Sequence, residues 1–316
     1  MKQILRNIMM FCIATATFTA CGDEPEVTKK DTSEKQKGQG NVTIENGAIK
    51  AAFSVGDGKK VYFSQGNLQY QASTNTWRFA ENQWDFVGTH ISKVEDWNRG
   101  TVEGSDNANV SETYNGWIDL FGWGTSGYNG RYPYMPSANN QDYIVGDYFD
   151  LAGTNYDWGV YNKISNGGNK AGMWRTLDGF EWACLRERRN ENGDRLHTIG
   201  CVAGIRGAIL LPDDWSDPYP CRDFEPGFSL DYYRHNDYTI EEWSKMEAKG
   251  AVFLPVTGFR EGITVYGVDD YGAYWFSDNH GSILELSLKK SRYDFVDNGS
   301  LELHYGASVR LVQDVK

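Results

Sequence analysis

The chain has 316 residues, of which 23% are charged and 14% aromatic, and a formal net charge of -12. With 40% hydrophobic residues it can bury a real core, in one large domain or two ordinary ones, which excludes a disordered tail protein. The 35 glycines argue against a helical bundle, and the acidic balance excludes the broad basic surface that a nucleic-acid backbone requires.

At the N-terminus, Lys2 and Arg6 precede Ile8 to Thr17, an apolar run too short to span a bilayer, so residues 1–20 read as a signal peptide. The following Phe18-Thr19-Ala20-Cys21 resembles the bacterial lipobox, with Phe18 in place of the usual aliphatic residue. That resemblance implies that the Cys21 thiol is lipidated, palmitate being one such acyl group, and anchors the mature chain in the outer membrane; a plain cleaved signal peptide is the alternative. Removing Lys2 and Arg6, with no Asp or Glu in residues 1–20, takes the net charge from -12 to -14.

Residues 22–48 contain no aromatic side chain and are crowded with Lys, Glu, Asp, Gln and Gly, a composition that cannot offset ordering entropy by burial. Residues 21–48 are therefore expected to be a flexible tether. Its acidic start, Gly22-Asp23-Glu24-Pro25-Glu26, resembles the signal that sends lipoproteins of the Bacteroidota phylum to the outside of the outer membrane; a solvated linker reads equally well. No later segment is long and apolar enough to span a membrane.

From residue 49 to 316 the texture is that of one domain, with short apolar runs between Gly, Asn and Asp and no internal repeat. Lys60 to Ser64 and Trp77 to Phe79 read as strands. Tyr128 to Tyr148 combines Tyr128, Tyr132, Tyr134, Tyr143 and Tyr148 with Asn, Asp, Gly and Pro and has no clean period, which predicts a long loop. A helix is expected from about Thr176-Leu177, with Leu177, Phe180 and Cys184 on its apolar face and Arg186, Arg188 and Arg189 near its end. A second begins at Thr239, whose hydroxyl and the Glu242 carboxylate complete a capping box; Ile240, Trp243 and Met246 share a face and Gly250 stops the helix. Strands follow at Ala251 to Val256, Ala273 to Phe276, Ile283 to Leu288 and Ser308 to Val312. In the third, Leu284, Leu286 and Leu288 alternate with Glu285 and Ser287, as a sheet with one buried face demands. The expected class is α+β, an antiparallel sheet with two helices and long irregular loops.

Several of these residues carry a family likeness. Trp174-Arg175-Thr176-Leu177 leading into Glu181-Trp182, Leu210-Leu211-Pro212-Asp213-Asp214-Trp215, Gly250 to Pro255, Tyr274-Trp275 and Gly306 to Val312 resemble the major paralogous domain first named in Fibrobacter succinogenes, as do Phe63 to Tyr70 and Gly116 to Gly124. The resemblance covers most of the chain after residue 49 and implies a C-type-lectin-like fold, one also used by formylglycine-generating enzymes. It implies a scaffold, and a scaffold does not decide function.

The chemical motifs are sparse. Gly122-Trp123-Gly124-Thr125-Ser126-Gly127 fits GxGxxG, but Tyr128 to Pro133 cannot open the helix that would hold a pyrophosphate, so the segment reads as a structural turn. His90, His197, His235, His280 and His304 are scattered, so no zinc site is expected. The C-terminal cysteine pair of formylglycine-generating enzymes is missing, since no cysteine follows Cys221. Cys184, Cys201 and Cys221 form either one disulfide with one buried thiol, Cys184, or three buried thiols.

Calcium, which lectins of this fold use to hold sugars, finds a poor match: Glu225-Pro226-Gly227 lacks the Asn of the Glu-Pro-Asn pattern and Trp275 to Asn279 only loosely resembles Trp-Asn-Asp. Asp213, Asp214 and Asp217, or Asp269, Asp270 and Asp278, have the oxygens calcium takes, with solvated turns as the other reading. No cofactor is therefore expected. The tyrosine loop, with Tyr128, Tyr132, Tyr134 and Tyr143, and the stretch Gly262 to Asp270 are the candidate binding surfaces. The expected protein is a non-catalytic lipoprotein, displayed on the cell surface, that binds an extracellular glycan or protein ligand. The alternatives are a hydrolase using Asp213 and Asp214 as acid and base, or a structural subunit of a surface assembly.

Overall fold

Most strands of this chain are short, and several bury both of their faces, which gives the fold its layers. The computed structural model describes residues 41–88, 101–102, 105–108, 111–134, 150–191, 193–216, 236–278, 281–289 and 292–316. One compact unit runs over Gly40–Lys316. The fold therefore starts earlier than the expected boundary at residue 49. Ile44–Glu45 (β1) pairs antiparallel with Ala48–Ile49 (β2), Ala48 is fully buried, and the Val42 amide donates to the Ala248 carbonyl at 2.7 Å.

In chain order there follow Phe53–Ser54 (β3), Lys60–Phe63 (β4), Leu68–Gln71 (β5), Thr76–Phe79 (β6), Thr101–Val102 (β7), the single helical turn Trp158–Tyr161 (α1) and the helix Gly179–Glu187 (α2). Then come His197–Val202 (β8), Ile205–Leu210 (β9), Asp237–Tyr238 (β10), the helix Ile240–Glu247 (α3), Val252–Pro255 (β11), Phe259–Glu261 (β12), Thr264–Tyr266 (β13), Tyr271–Trp275 (β14), Ser282–Lys289 (β15), Arg292–Ser300 (β16) and Val312–Asp314 (β17). The class is mixed α+β with mostly small antiparallel sheets and few helices. Instead of one sheet, the strands form separate groups: β10-β8-β9-β11, β14-β15-β16, β12-β13-β7, β17-β4-β3, β5-β6 and β1-β2. All pairings between these strands are antiparallel except β10 on β8. The stretch expected as a strand from Ser308 pairs mainly through single bridges, Ser308 to Tyr274 and Ala307 to Phe121, and only Val312 enters β17.

Side chains alternate across a strand, so each two-faced sheet here separates two cores. In β11, Val252 and Leu254 join Leu210, Ile199, Trp182 and Leu185 in one core, while Phe253 joins Ile209, Trp243 and Met246 in another. The β14–β15 ladder divides the first of these from a third core. Tyr274, Leu284 and Leu286 face the α2 side, whereas Trp275, Ala273 and Ile283 face the aromatic cluster of Trp77, Trp123, Trp158 and Trp174. The expected single buried face of β15 is thus corrected. Ile283 and Leu284, on opposite faces, are both buried because each face packs on a core, and the ladder to β16 has a register irregularity between Ile283 and Glu285. The side chain of Leu288 lies outside the described residues.

Both expected helices form, with shifted faces. Thr239 caps α3, its hydroxyl accepting from Glu242 N at 3.2 Å while the Glu242 carboxylate accepts from Thr239 N at 2.9 Å. Trp243 and Met246 are buried, but Ile240 is 50% exposed. Gly250, with φ near 90°, terminates this helix where an added Cβ would strike Ala51. In α2 the cap is Asp178, two residues later than expected, with Glu181 closing its own capping box. That shift turns Trp182, Leu185 and Glu181 inward, leaves Phe180 60% exposed and leaves Cys184 half-buried. The Glu181 carboxylate is tolerated there because Arg175 grips both oxygens at 2.7 Å.

Among the described residues no helix is long and apolar enough to cross a membrane. Thermal and denaturant unfolding should resolve the packing: Thr239→Ala is expected to cost about 1 kcal/mol. Trp243→Ala should cost about 3 kcal/mol or more, and Phe180→Ala under about 0.5 kcal/mol.

Candidate functional site

The tyrosine surface is built on a turn that the core holds from below. Phe121 pairs with Ala307, and the Trp123 amide donates to Leu303 O at 2.9 Å. The buried Trp123 ring meets Trp275 edge-on, with centroids 5.2 Å apart. Past that anchor the Thr125 amide and hydroxyl both return to Gly122 O, and Gly127 N donates to Arg131 O at 2.7 Å. Gly124 and Gly127 adopt positive φ, which glycine takes without a Cβ penalty. The segment then forms a three-residue 3-10 turn, Tyr128–Gly130, and no helix, so the GxGxxG pattern is a structural turn as its sequence indicates.

Two hydrogen bonds lash this turn to the residues on either side of α1: Ser126 Oγ donates to Asn155 O at 2.7 Å and Asn162 Nδ2 donates to Ser126 O at 2.9 Å. The α1 segment itself is fixed by Asp157, whose buried carboxylate accepts from Gly159 N, Thr176 N and Thr176 Oγ1. In this frame Tyr128 lies edge-on to Tyr156 at 5.0 Å and to Tyr161 at 5.4 Å, while the Arg131 guanidinium sits 5.3 Å above the Tyr156 ring. Tyr132 stacks on Tyr134 with centroids 5.2 Å apart and planes within 7°. Tyr132 and Tyr161 are 40% and 42% exposed, whereas Tyr134 and Tyr156 are half-buried against the aromatic core.

Of the sequence candidates, Tyr128, Tyr132 and Tyr134 are thus brought to one segment; Tyr143, with Tyr148, lies outside the described residues. Tyr156 and Tyr161 were not anticipated. Their signal was the Tyr156-Asp157-Trp158-Gly159 run, an Asp cap ahead of one helical turn. The second candidate stretch, Gly262 to Asp270, is partly regular strand and not all loop. It contains β13 hydrogen-bonded to β12, leaving Ile263 at the hairpin tip 67% exposed.

Chemically the tyrosine surface offers flat rings, neutral hydroxyls and one guanidinium. Burial, then the neighbouring Tyr134 and Tyr132 oxygens, pushes the Tyr70 phenol up to about 12, and burial with Glu112 raises Tyr134. Both therefore remain hydrogen-bond donors at neutral pH.

Of the acidic candidates, Asp213, Asp269 and Asp278 are engaged in structure. Burial would raise Asp213, but Ser54 N at 2.8 Å, Ser54 Oγ at 2.7 Å, Lys60 Nζ at 2.9 Å and Arg188 Nη1 at 2.9 Å hold its carboxyl below the ordinary range. It is the counter-ion of a nearly buried arginine, with no proton to give at neutral pH. Asp214 is exposed, and Asp217 and Glu225 to Gly227 lie outside the described residues. Asp269 is buried against Arg206 at 2.9 Å, and Asp278 accepts from the Ser282 amide and hydroxyl. Among the described residues no group of three His, Cys, Asp or Glu is placed to hold a metal ion.

Cys184 is a free thiol, as the sequence suggests, though half-buried; Cys201 is also free, which corrects the disulfide expected with Cys221, itself outside the described residues. Burial first, then Asp237, pushes Cys201 up to about 12, so it is no thiolate. His197 is buried beside Arg195, Arg189, Arg188 and Arg186, and burial above all pushes it down to about 3. Compared with known proteins, the chain matches no family model, no curated protein and no solved structure.

Asp213→Ala strands the Arg188 charge and should cost about 3 kcal/mol at neutral pH. Because the folded carboxyl titrates below its unfolded value of about 4, this contribution is present above pH about 4 and is lost as pH falls through the folded value. Denaturant unfolding of the two proteins should therefore converge in acid; a constant difference from pH about 7 to about 2 would contradict the pairing.

Proposed function

We propose that the protein is a lipid-anchored binding module of the outer membrane that engages an extracellular glycan or protein ligand through its tyrosine surface, without turnover. One observation carries the reading: Tyr132 and Tyr161 stay 40% and 42% exposed although the loop beneath them is pinned by Trp123, Ser126 and Asn162. Large rings held open to solvent on a rigid base lose little entropy on binding, and such rings dominate binding energies. Tyrosine adds a polar tip, so one ring can stack on a sugar face or a side chain and donate a hydrogen bond. The scaffold proposed for this surface is the C-type-lectin-like domain of the major paralogous family, on the strength of the motifs from Phe63 to Val312.

The anchor rests on the sequence around Cys21. Labelling with a fatty-acid analogue is expected to mark the wild-type chain and miss Cys21→Ala; equal labelling of both removes the anchor. If the acidic start directs outward display, replacing Asp23, Glu24 and Glu26 by Ala keeps the lipid and abolishes protease access on whole cells.

For the binding surface, the full chain is screened against glycan and protein-ligand arrays, with and without calcium. Tyr132→Ala and Tyr161→Ala should each weaken a ligand so identified by one or more kcal/mol while leaving the melting temperature nearly unchanged. Tyr134→Ala should lower that temperature, because its ring packs on the core. Undiminished binding by both exposed-ring variants would move the site elsewhere.

A further inference from the structure

Asp119 is fully buried, and among the described residues no cation pairs with it. Its carboxylate accepts from Val87 N at 2.7 Å and from Asn107 Nδ2 at 2.8 Å, while its own amide donates to Asn107 Oδ1 at 2.9 Å. Asn107 Nδ2 also donates to Val87 O, and Asn107 N donates to Ser105 Oγ at 3.3 Å. One side chain thus fastens two segments, Phe86 to Gly88 and Ser105 to Ala108, to the stretch Ile118 to Phe121. The chain between those segments includes β7, which pairs with β13 through Val102 and Val265.

The groups facing this knot are few. From β14 the Tyr274 phenol lies close enough to feel the Asp119 charge. From β12 the Arg260 guanidinium is spent on Leu120 O and Gly262 O. In the gripped segments, Asp85 accepts from Asn82 and Asp106 is exposed. A carboxylate buried without a counter-ion is costly unless it takes a proton.

We infer that Asp119 is a pH-sensitive clasp, which holds Phe86 to Gly88 and Ser105 to Ala108 tightly when its carboxyl is neutral and releases them more readily as it ionises. Burial lifts the clasped carboxyl to about 7, against the opposing pull of the Val87 and Asn107 hydrogen bonds. In the opened segment the carboxyl is hydrated and ionises near its ordinary value of about 4. Because the clasped value is the higher one, the clasp is fully stable below about pH 4 and loses stability as pH rises through the clasped value. The local opening constant therefore rises by up to about tenfold per pH unit between about 4 and 7 and levels off above. This is opposite in sign to Asp213, whose ion pairs weaken in acid. The inference is independent of the proposed binding function.

Amide hydrogen exchange by NMR on the full chain tests it, with each rate divided by its unfolded-chain value and with the Ile199 amide of β8 as internal reference. The Val87 amide should show an opening constant that climbs about tenfold or more from pH about 5.5 to 7 and then flattens, while Ile199 stays level. In Asp119→Asn the Val87 profile should be flat. The Asp119 carboxyl carbon of the wild-type chain should titrate with a midpoint between about 6 and 8. A midpoint at or below about 5, a flat wild-type Val87 profile, or the same climb in Asp119→Asn overturns the clasp. Should Asp119→Asn fail to fold, the wild-type midpoint and Val87 profile decide together.

Discussion

At the meeting point of the cores, the Arg310 guanidinium is wholly buried, and among the described residues no carboxylate touches it. Gln83 Oε1 accepts from it at 2.8 Å, and Asn67 Oδ1 and Phe253 O lie at 3.4 Å. Gln83 then uses its remaining valences on Phe253 N, Ala251 O and the Glu247 carboxylate of α3. One positive charge is thereby spread over the end of the chain, the start of β5, β11 and a helix. Burial pushes Arg310 down to about 10, which still leaves it charged at neutral pH. Such a group is tolerable only if every neighbour is in place, so the layers share one network and do not slide past one another.

The same logic recurs at smaller knots. Arg188 with Asp213 ties α2 to the β3–β4 hairpin, Arg175 with Glu181 and Asp314 ties it to the last strand, and Asp157 closes the turn beneath Tyr161. Sheets of two to four short strands leave many backbone ends near the core, and buried polar side chains satisfy them where regular ladders stop. The tyrosine surface profits from that rigidity: its rings stay open to solvent because the turn below is committed to Trp123 and to the Asn155–Asn162 stretch.

Much of this was legible locally. The capping box at Thr239, the stop at Gly250 and the β4, β6, β11, β14 and β15 strands follow from contacts within a few residues, which is the range over which sequence patterns act. The α2 face was misread because its cap lies at Asp178. Leu177 therefore precedes the helix and does not mark its inward face, and Phe180 and Trp182, two residues apart, point about 200° from one another. Composition singled out Tyr128, Tyr132 and Tyr134, but Tyr156 and Tyr161 join Tyr128 only through tertiary contacts. The acidic residues of Leu210 to Trp215 looked like ligands because a sequence does not show that Arg188, Lys60 and Ser54 converge on Asp213.

By itself, then, the sequence determined the α+β class, the presence of the two longer helices and the Thr239 cap of α3, the β4, β6, β11, β14 and β15 strands, and the turn nature of the Gly122 to Gly127 run, because propensity, capping and alternation are properties of neighbouring residues. Only the tertiary structure decided which strands are buried on both faces, where the fold begins, which carboxylates are paired and which stand alone, and which tyrosines remain exposed. Those outcomes depend on groups brought together from over a hundred residues apart, as Ser54 is to Asp213 and Asn67 to Arg310. Burial and pairing energies come from that convergence, and no local pattern carries it.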